Sequence, residues 1–158
     1  MNRLFWRMTM GTVALLAVTL YFLQFHEAHP EANTPGIRWV PYEQAVELSA
    51  ASGKPLLIDF YADWCGPCRE MDATTLRNGD VVELVEENFV PVRLPETSEY
   101  AEELGERYDV HLYPTFVVAA PGGEVLRRIH GFHRAGAYVR ELEQALTHTI
   151  EPEFDIAM

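Results

Sequence analysis

The chain has 158 residues, 48% of them hydrophobic, which suits one compact domain with an ordinary core and short appendages. Its formal charge is −12; two of its 12 basic residues, Arg3 and Arg7, stand ahead of the first apolar run, leaving 10 to set against 24 acidic residues in the remainder. A surface that acidic repels phosphate backbones and anionic lipid, which argues against nucleic-acid binding and against lying flat on a membrane. With only two cysteines, three positions apart, the chain is not a disulfide-stapled secreted scaffold.

Residues 8–25 are 18 uncharged positions rich in Leu, Val and Ala, about 27 Å as a helix and just enough for a ~30 Å hydrocarbon core. Arg3 and Arg7 precede this run and His26, Glu27, His29 and Glu31 follow it. The positive-inside rule then leaves residues 1–7 in the cytoplasm and everything after the span outside. A cleaved signal peptide is the rival reading, but its apolar region runs about 7–15 residues, and no small-x-small site follows here. An uncleaved single-pass anchor is expected. Residues 26–36, with two prolines and a glycine, read as a linker to a domain at 37–150.

Within that domain, residues 37–40 suggest a short edge strand. Pro41 opens a helix whose Ala45, Val46, Leu48 and Ala51 are expected to face inward, and Gly53 ends it. Residues 55–62 are a nearly continuous apolar run of strand length, the pattern of a strand covered on both faces. A helix to about Arg77, a turn at Asn78-Gly79-Asp80 and a further helix over 81–88 follow. Strands are expected at 89–94 and 115–120, with a helix at 99–108 between them. Pro121-Gly122-Gly123 is a hairpin turn into 124–130. The last helix, about 135–149, sets Tyr138, Leu142, Ala145, Leu146 and Ile150 on one face and turns Arg140, Glu141, Glu143 and Gln144 away. Residues 151–158 read as a tail. The order βαβαβαββα implies an α/β fold, a mixed sheet with helices on both faces.

Cys65-Gly66-Pro67-Cys68 falls where the buried strand gives way to a helix. If Cys65 caps that helix, the dipole and the unpaired N–H groups favour thiolate over thiol. Cys68, one turn in, is within disulfide reach and expected to be less exposed, and Pro67 is tolerated in the first turn. One cysteine is thus set to attack and the other to resolve. Half of a zinc site is the alternative, but a structural site needs four ligands, and His130 and His133 are spaced too tightly for the usual pair. Asp59 is out of place in an apolar run; a carboxyl buried there stays neutral to a higher pH and is poised as an acid or base. Asp72 shares a helical face with both cysteines, either as a second carboxylate near the thiols or as a solvated one. Arg93 is a candidate for a charge near Asp59, Trp64 for packing and a substrate platform, and His111 either borders the site or lies on the surface.

Asp59, Trp64, Cys65-Gly66-Pro67-Cys68 and Tyr113-Pro114-Thr115 resemble, in this order, the buried Asp, WCGPC and cis-Pro loop of the thioredoxin family. The resemblance spans about residues 37–146. Gly53-Lys54-Pro55, Tyr61-Ala62-Asp63-Trp64-Cys65 and Gly131-Phe132 are more narrowly similar to the C-terminal periplasmic domain of the DsbD interchange proteins. It implies that Tyr113-Pro114 is cis and faces the cysteines, that Trp64, Gly66, Pro67, Tyr113 and Pro114 contact an extended substrate segment, and that Asp59 exchanges protons with Cys68. No cofactor or metal is implied. The expected function is a thiol:disulfide oxidoreductase, a reductase because Gly-Pro belongs to the reducing end of the family, about −270 mV. Disulfide-bearing proteins are the expected substrates and a membrane electron carrier of the DsbD type the donor. The chain is expected to be a monomer in the bacterial inner membrane with its domain in the periplasm. An oxidase or isomerase, or a non-enzymatic assembly factor or metal chaperone built on two soft thiolates, are the alternatives.

Overall fold

A computed structural model describes residues 36–150, with side chains as far as Thr147. The expectations for residues 1–7, for the anchor at 8–25, for nearly all of the linker and for the tail at 151–158 lie outside the described residues. Among the described residues no helix is long and apolar enough to cross a membrane.

The apolar run forms β1 (Leu56–Tyr61), five of its six residues buried. It is central, pairing in parallel with β2 (Val90–Pro95) and antiparallel with β3 (Thr115–Ala119), while β3 carries the antiparallel β4 (Val125–His130) at the far edge. The sheet order is β2-β1-β3-β4. Helices α1 (Tyr42–Ser52) and α4 (Ala101–Arg107) cover one face through Ala45, Leu104 and Tyr108 against Leu56, Ile58, Phe60, Val92 and Val117. Helices α2 (Gly66–Ala73), α3 (Gly79–Asn88) and α5 (Ala135–Ile150) cover the other, where Met71, Val81, Val85, Tyr138 and Leu142 meet Leu57, Phe116, Val118 and Ile129. This is the thioredoxin arrangement that the resemblance implies.

Four local expectations need correction. The edge strand at 37–40 shrinks to one bridge, Val40 against Val92. Its ladder cannot extend because the Arg38 N–H donates to Glu86 Oε1 at 2.7 Å and Pro41 turns the chain into α1. Helix α1 ends at a left-handed Gly53 as read, but it buries Ala45 and Ser49, one turn apart. Val46 and Leu48 remain 38% and 43% exposed, because a single stripe of an eleven-residue helix reaches the sheet. The helix after the cysteines stops at Ala73. Thr74 leaves helical geometry, and residues Thr75–Arg77 form a 3₁₀ turn held by Thr75 Oγ1 donating to the His133 carbonyl at 2.5 Å. On α5, Glu141 does not point away into solvent but pairs with Arg127 of β4 at 2.6 Å.

Candidate active site

The site begins where β1 runs out. Its last residues carry the chain to Ala62, whose carbonyl accepts the Cys65 N–H at 3.1 Å and turns the backbone into α2. Cys65 is the N-cap of that helix in extended geometry, and its sulfur accepts the Cys68 N–H at 3.1 Å. The sulfur therefore does the work that a Ser or Asp oxygen does at other helix starts, next to the positive end of the dipole. Gly66 and Pro67 occupy the first turn and are exposed. Cys65 and Cys68 are joined as a disulfide. Both are 3% exposed, so exposure does not distinguish the two cysteines in this oxidised form; position on the helix does. The levelling has a local cause, since the pair packs with Ala62 beneath the rings of Tyr61 and Tyr113.

The Tyr113–Pro114 peptide is cis. Pro114 has no N–H, and its carbonyl accepts the Gly131 N–H at 2.8 Å, which pins the loop to the end of β4. Thr115 Oγ1 ties the same loop by donating to the Leu112 carbonyl at 2.8 Å. Trp64 is 68% exposed and stands edge-on to Tyr113, 6.2 Å between ring centroids. Its indole N–H donates to Glu96 Oε1 at 2.6 Å. Sequence reasoning missed Glu96; an exposed tryptophan's need for an acceptor is the signal for such a partner, but nothing local says which residue supplies it. His111 is not drawn into the site, being largely exposed and paired with Asp109 at 2.7 Å.

A turn behind the cysteines lies a cluster of three charges. Asp59, 1% exposed, stands opposite Arg93 in the parallel register, and its Oδ2 is 3.2 Å from Arg93 Nε. That contact is an ion pair without hydrogen-bond alignment, since Arg93 Nε and Asp59 Oδ1 both lack a hydrogen-bond partner among the described residues. The Arg93 terminal nitrogen donates to both oxygens of Asp72, each at 2.6 Å, and its guanidinium lies 4.1 Å from the centre of the Tyr61 ring and 5.6 Å from that of Trp39. Asp72 is one helical turn after Cys68, and its side chain, 34% exposed, is held by Arg93. Burial pushes Asp59 up to about 7; Arg93 pulls it down and Asp72 adds to the rise. Burial works against the Arg93 charge, but Asp72 and Asp59 outweigh it and hold Arg93 above its ordinary value. The arrangement can store a proton near neutrality on the face of the sheet that the cysteine helix covers.

The model of the thioredoxin-like family matches residues 38–121. The chain is 32% identical over 107 residues to the thiol:disulfide interchange protein DsbD of Ralstonia nicotianae, covering 66% of this chain and 17% of that protein. It spans less than two thirds of the length of the curated relatives it matches. Among solved structures it resembles a thioredoxin from Thermus thermophilus, at 28% identity and a TM-score of 0.66 over 72% of this chain and 90% of that one. It also resembles the oxidised C-terminal domain of DsbD from Neisseria meningitidis, at 26% identity and a TM-score of 0.54 over 68% and 99%.

Proposed function

Because this chain belongs to the thioredoxin-like family, we propose that it is a thiol:disulfide oxidoreductase that reduces protein disulfides through Cys65 and Cys68. The observation that carries the reading is the disulfide at the start of α2, with the Cys65 sulfur in the capping position and Tyr113 of the cis-proline loop packed against the pair.

The cycle follows from those positions. In the dithiol form the Cys65 thiolate, favoured by the helix terminus, attacks one sulfur of a substrate disulfide; that bond breaks and the other substrate sulfur leaves as a thiolate. Cys68 loses its proton to Asp59 and attacks Cys65, releasing the second substrate thiolate and forming the Cys65–Cys68 disulfide. Two electrons pass to the substrate, and protons from Asp59 and solvent complete its two thiols. Gly66 and Pro67, exposed in the first turn of α2, and Trp64, Tyr113 and Pro114 form the surface against which an extended segment lies.

The finer reading extends this scheme. The reductase direction is supported by Gly66-Pro67 and by Asp59 and Asp72, whose charge disfavours a thiolate nearby. The likeness to DsbD supports a membrane electron carrier of that type as the source of electrons. The 18 uncharged residues at 8–25 behind Arg3 and Arg7 support a single-pass anchor with the domain in the periplasm. Trapping tests the scheme: Cys68→Ala should accumulate mixed disulfides through Cys65, identifiable by mass spectrometry, and equilibration against glutathione should give a potential near that of thioredoxin. A potential above about −180 mV would instead favour an oxidase or isomerase.

A further inference from the structure

Two polar atoms in the core beneath the cysteine helix have no hydrogen-bond partner among the described residues: Asp59 Oδ1 and the Tyr138 hydroxyl. Arg93 Nε, the third unpartnered atom, already stands against Asp59 Oδ2. Asp59 is 1% exposed and Tyr138 0%, so solvent reaches neither. Buried polar atoms are rarely left unpaired, because each loses its water and gains nothing in exchange.

Phe116 connects the two residues. It is the cross-strand partner of Asp59 on β3, and directly opposed residues of an antiparallel pair share a face with Cβ atoms about 4.5–5.5 Å apart. Its ring meets that of Tyr138 edge-on, 5.0 Å between centroids. The hydroxyl responds to this neighbourhood: burial, and after it the charge of Asp59, hold Tyr138 well above its ordinary range. On an amphipathic helix a tyrosine at this position needs only its ring to fill the core, and the exchange steps above make no use of its oxygen.

We propose that Tyr138 is a positioning residue for Asp59, its hydroxyl donating a hydrogen bond to Asp59 Oδ1 either directly, after a small rotation of the carboxyl group, or through one internal water. Such a bond favours the ionised carboxylate and opposes the effect of burial, so Tyr138 keeps Asp59 able to release its proton near neutrality. The groups around the carboxyl then act in opposite senses. Arg93 from β2 and Tyr138 from α5 favour its charge; Asp72 from α2 opposes it, with the Cys68 sulfur one turn before Asp72; and Phe116 from β3 supplies an apolar wall. The functional consequence rests on the role proposed for Asp59, whereas the contact itself does not.

The test uses the full chain with Tyr138→Phe, Asp59→Asn and both together. Titration of the Asp59 carboxyl carbon by NMR in the oxidised protein should lie higher in Tyr138→Phe than in the native protein, by about one pH unit for the loss of one hydrogen bond to a charged group. The pH midpoint for Cys68 resolving a mixed disulfide should move with it, and in the Asp59→Asn background the Phe substitution should leave that profile unchanged. A merely structural tyrosine would change stability and leave the titration where it was; an unmoved or lowered titration overturns the proposal. If the carboxyl titration moves while resolution does not, the contact stands and the role of Asp59 in exchange falls. Should Tyr138→Phe not fold, the Tyr138 ring carbon bonded to oxygen is read in the native protein. It should shift as Asp59 titrates and lose that step in Asp59→Asn, and a flat response overturns the contact.

Discussion

The two faces of the sheet are packed from the same strands to different ends. Toward α1 and α4, Leu56, Ile58 and Phe60 of β1 meet apolar and aromatic partners, and the one polar side chain buried on α1, Ser49, is satisfied by donating to the Lys54 carbonyl at 2.6 Å. Toward α2 and α5, Leu57 of the same strand sits in a core of similar make-up, yet Asp59 two residues on carries an unpaired oxygen there. Because successive strand residues point to opposite faces, moving the carboxyl by one position would place it under the wrong helices. Among the described residues, the buried side-chain polar atoms without a hydrogen-bond partner lie on the side of the cysteine helix and not in the opposite core.

The largest separation of the two faces is expected from a pair of substitutions. Cys65→Ala should lower insulin reduction with dithiothreitol by about a thousandfold or more, since the attacking sulfur is gone. Its denaturation midpoint under reducing conditions should stay close to that of the native protein. Phe60→Ala, on the opposite face, removes a ring that is 1% exposed and should cost about 3–5 kcal/mol in chemical denaturation. The Cys65 alkylation rate per folded molecule should stay within about twofold. If Phe60→Ala slowed alkylation as strongly as it weakened folding, the faces would not be separable.

The burial of Asp59 should also be readable as a dependence of stability on pH. Its folded-state value, about 7, lies above the unfolded one, so between about pH 4 and 7 the folded protein keeps a proton that the unfolded chain has released. Its contribution is therefore most favourable below about pH 4, is lost as pH rises through that window and is flat above it; the total loss is at most about 4 kcal/mol. Relative to native protein, Asp59→Asn should gain stability as pH rises, and denaturation at pH 5 and pH 8 checks this. A constant difference between the two proteins would mean that Arg93 keeps Asp59 ionised throughout.

Legibility followed the range of the interaction. Asp59 was readable because a carboxylate within an apolar run breaks a local pattern, and Cys65 because strand, turn and helix lie within a few residues of one another. Nothing local joins Asp72 to Arg93, since the cluster assembles from α2, β1 and β2 and depends on which face of β2 turns inward. The stripe on α1 is not legible from residue type, because Val46 and Leu48 are apolar while the sheet meets only the stripe through Ala45 and Ser49. The Tyr138 hydroxyl left no trace in the sequence, because the tyrosine ring alone accounts for its place in the apolar pattern.

The smallest effect belongs to the rim, where neither core is involved. Trp64 is held by one hydrogen bond from its indole to Glu96 and by the edge of Tyr113, and most of its surface is open. Glu96→Ala removes the hydrogen bond at a solvent-exposed position, where such a bond is worth on the order of 0.5–1 kcal/mol. The indole then samples more orientations, and a protein substrate must fix it again on binding. The expected result is a two- to fivefold rise in KM for a protein disulfide, with kcat nearly unchanged and the Cys65 thiol pKa unmoved. A small disulfide that does not reach Trp64 should be reduced at the native rate. Equal losses on both substrates would mean that Glu96 acts on the sulfur through its charge, and Glu96→Gln, which removes the charge and retains an acceptor, would then match the alanine variant instead of rescuing it.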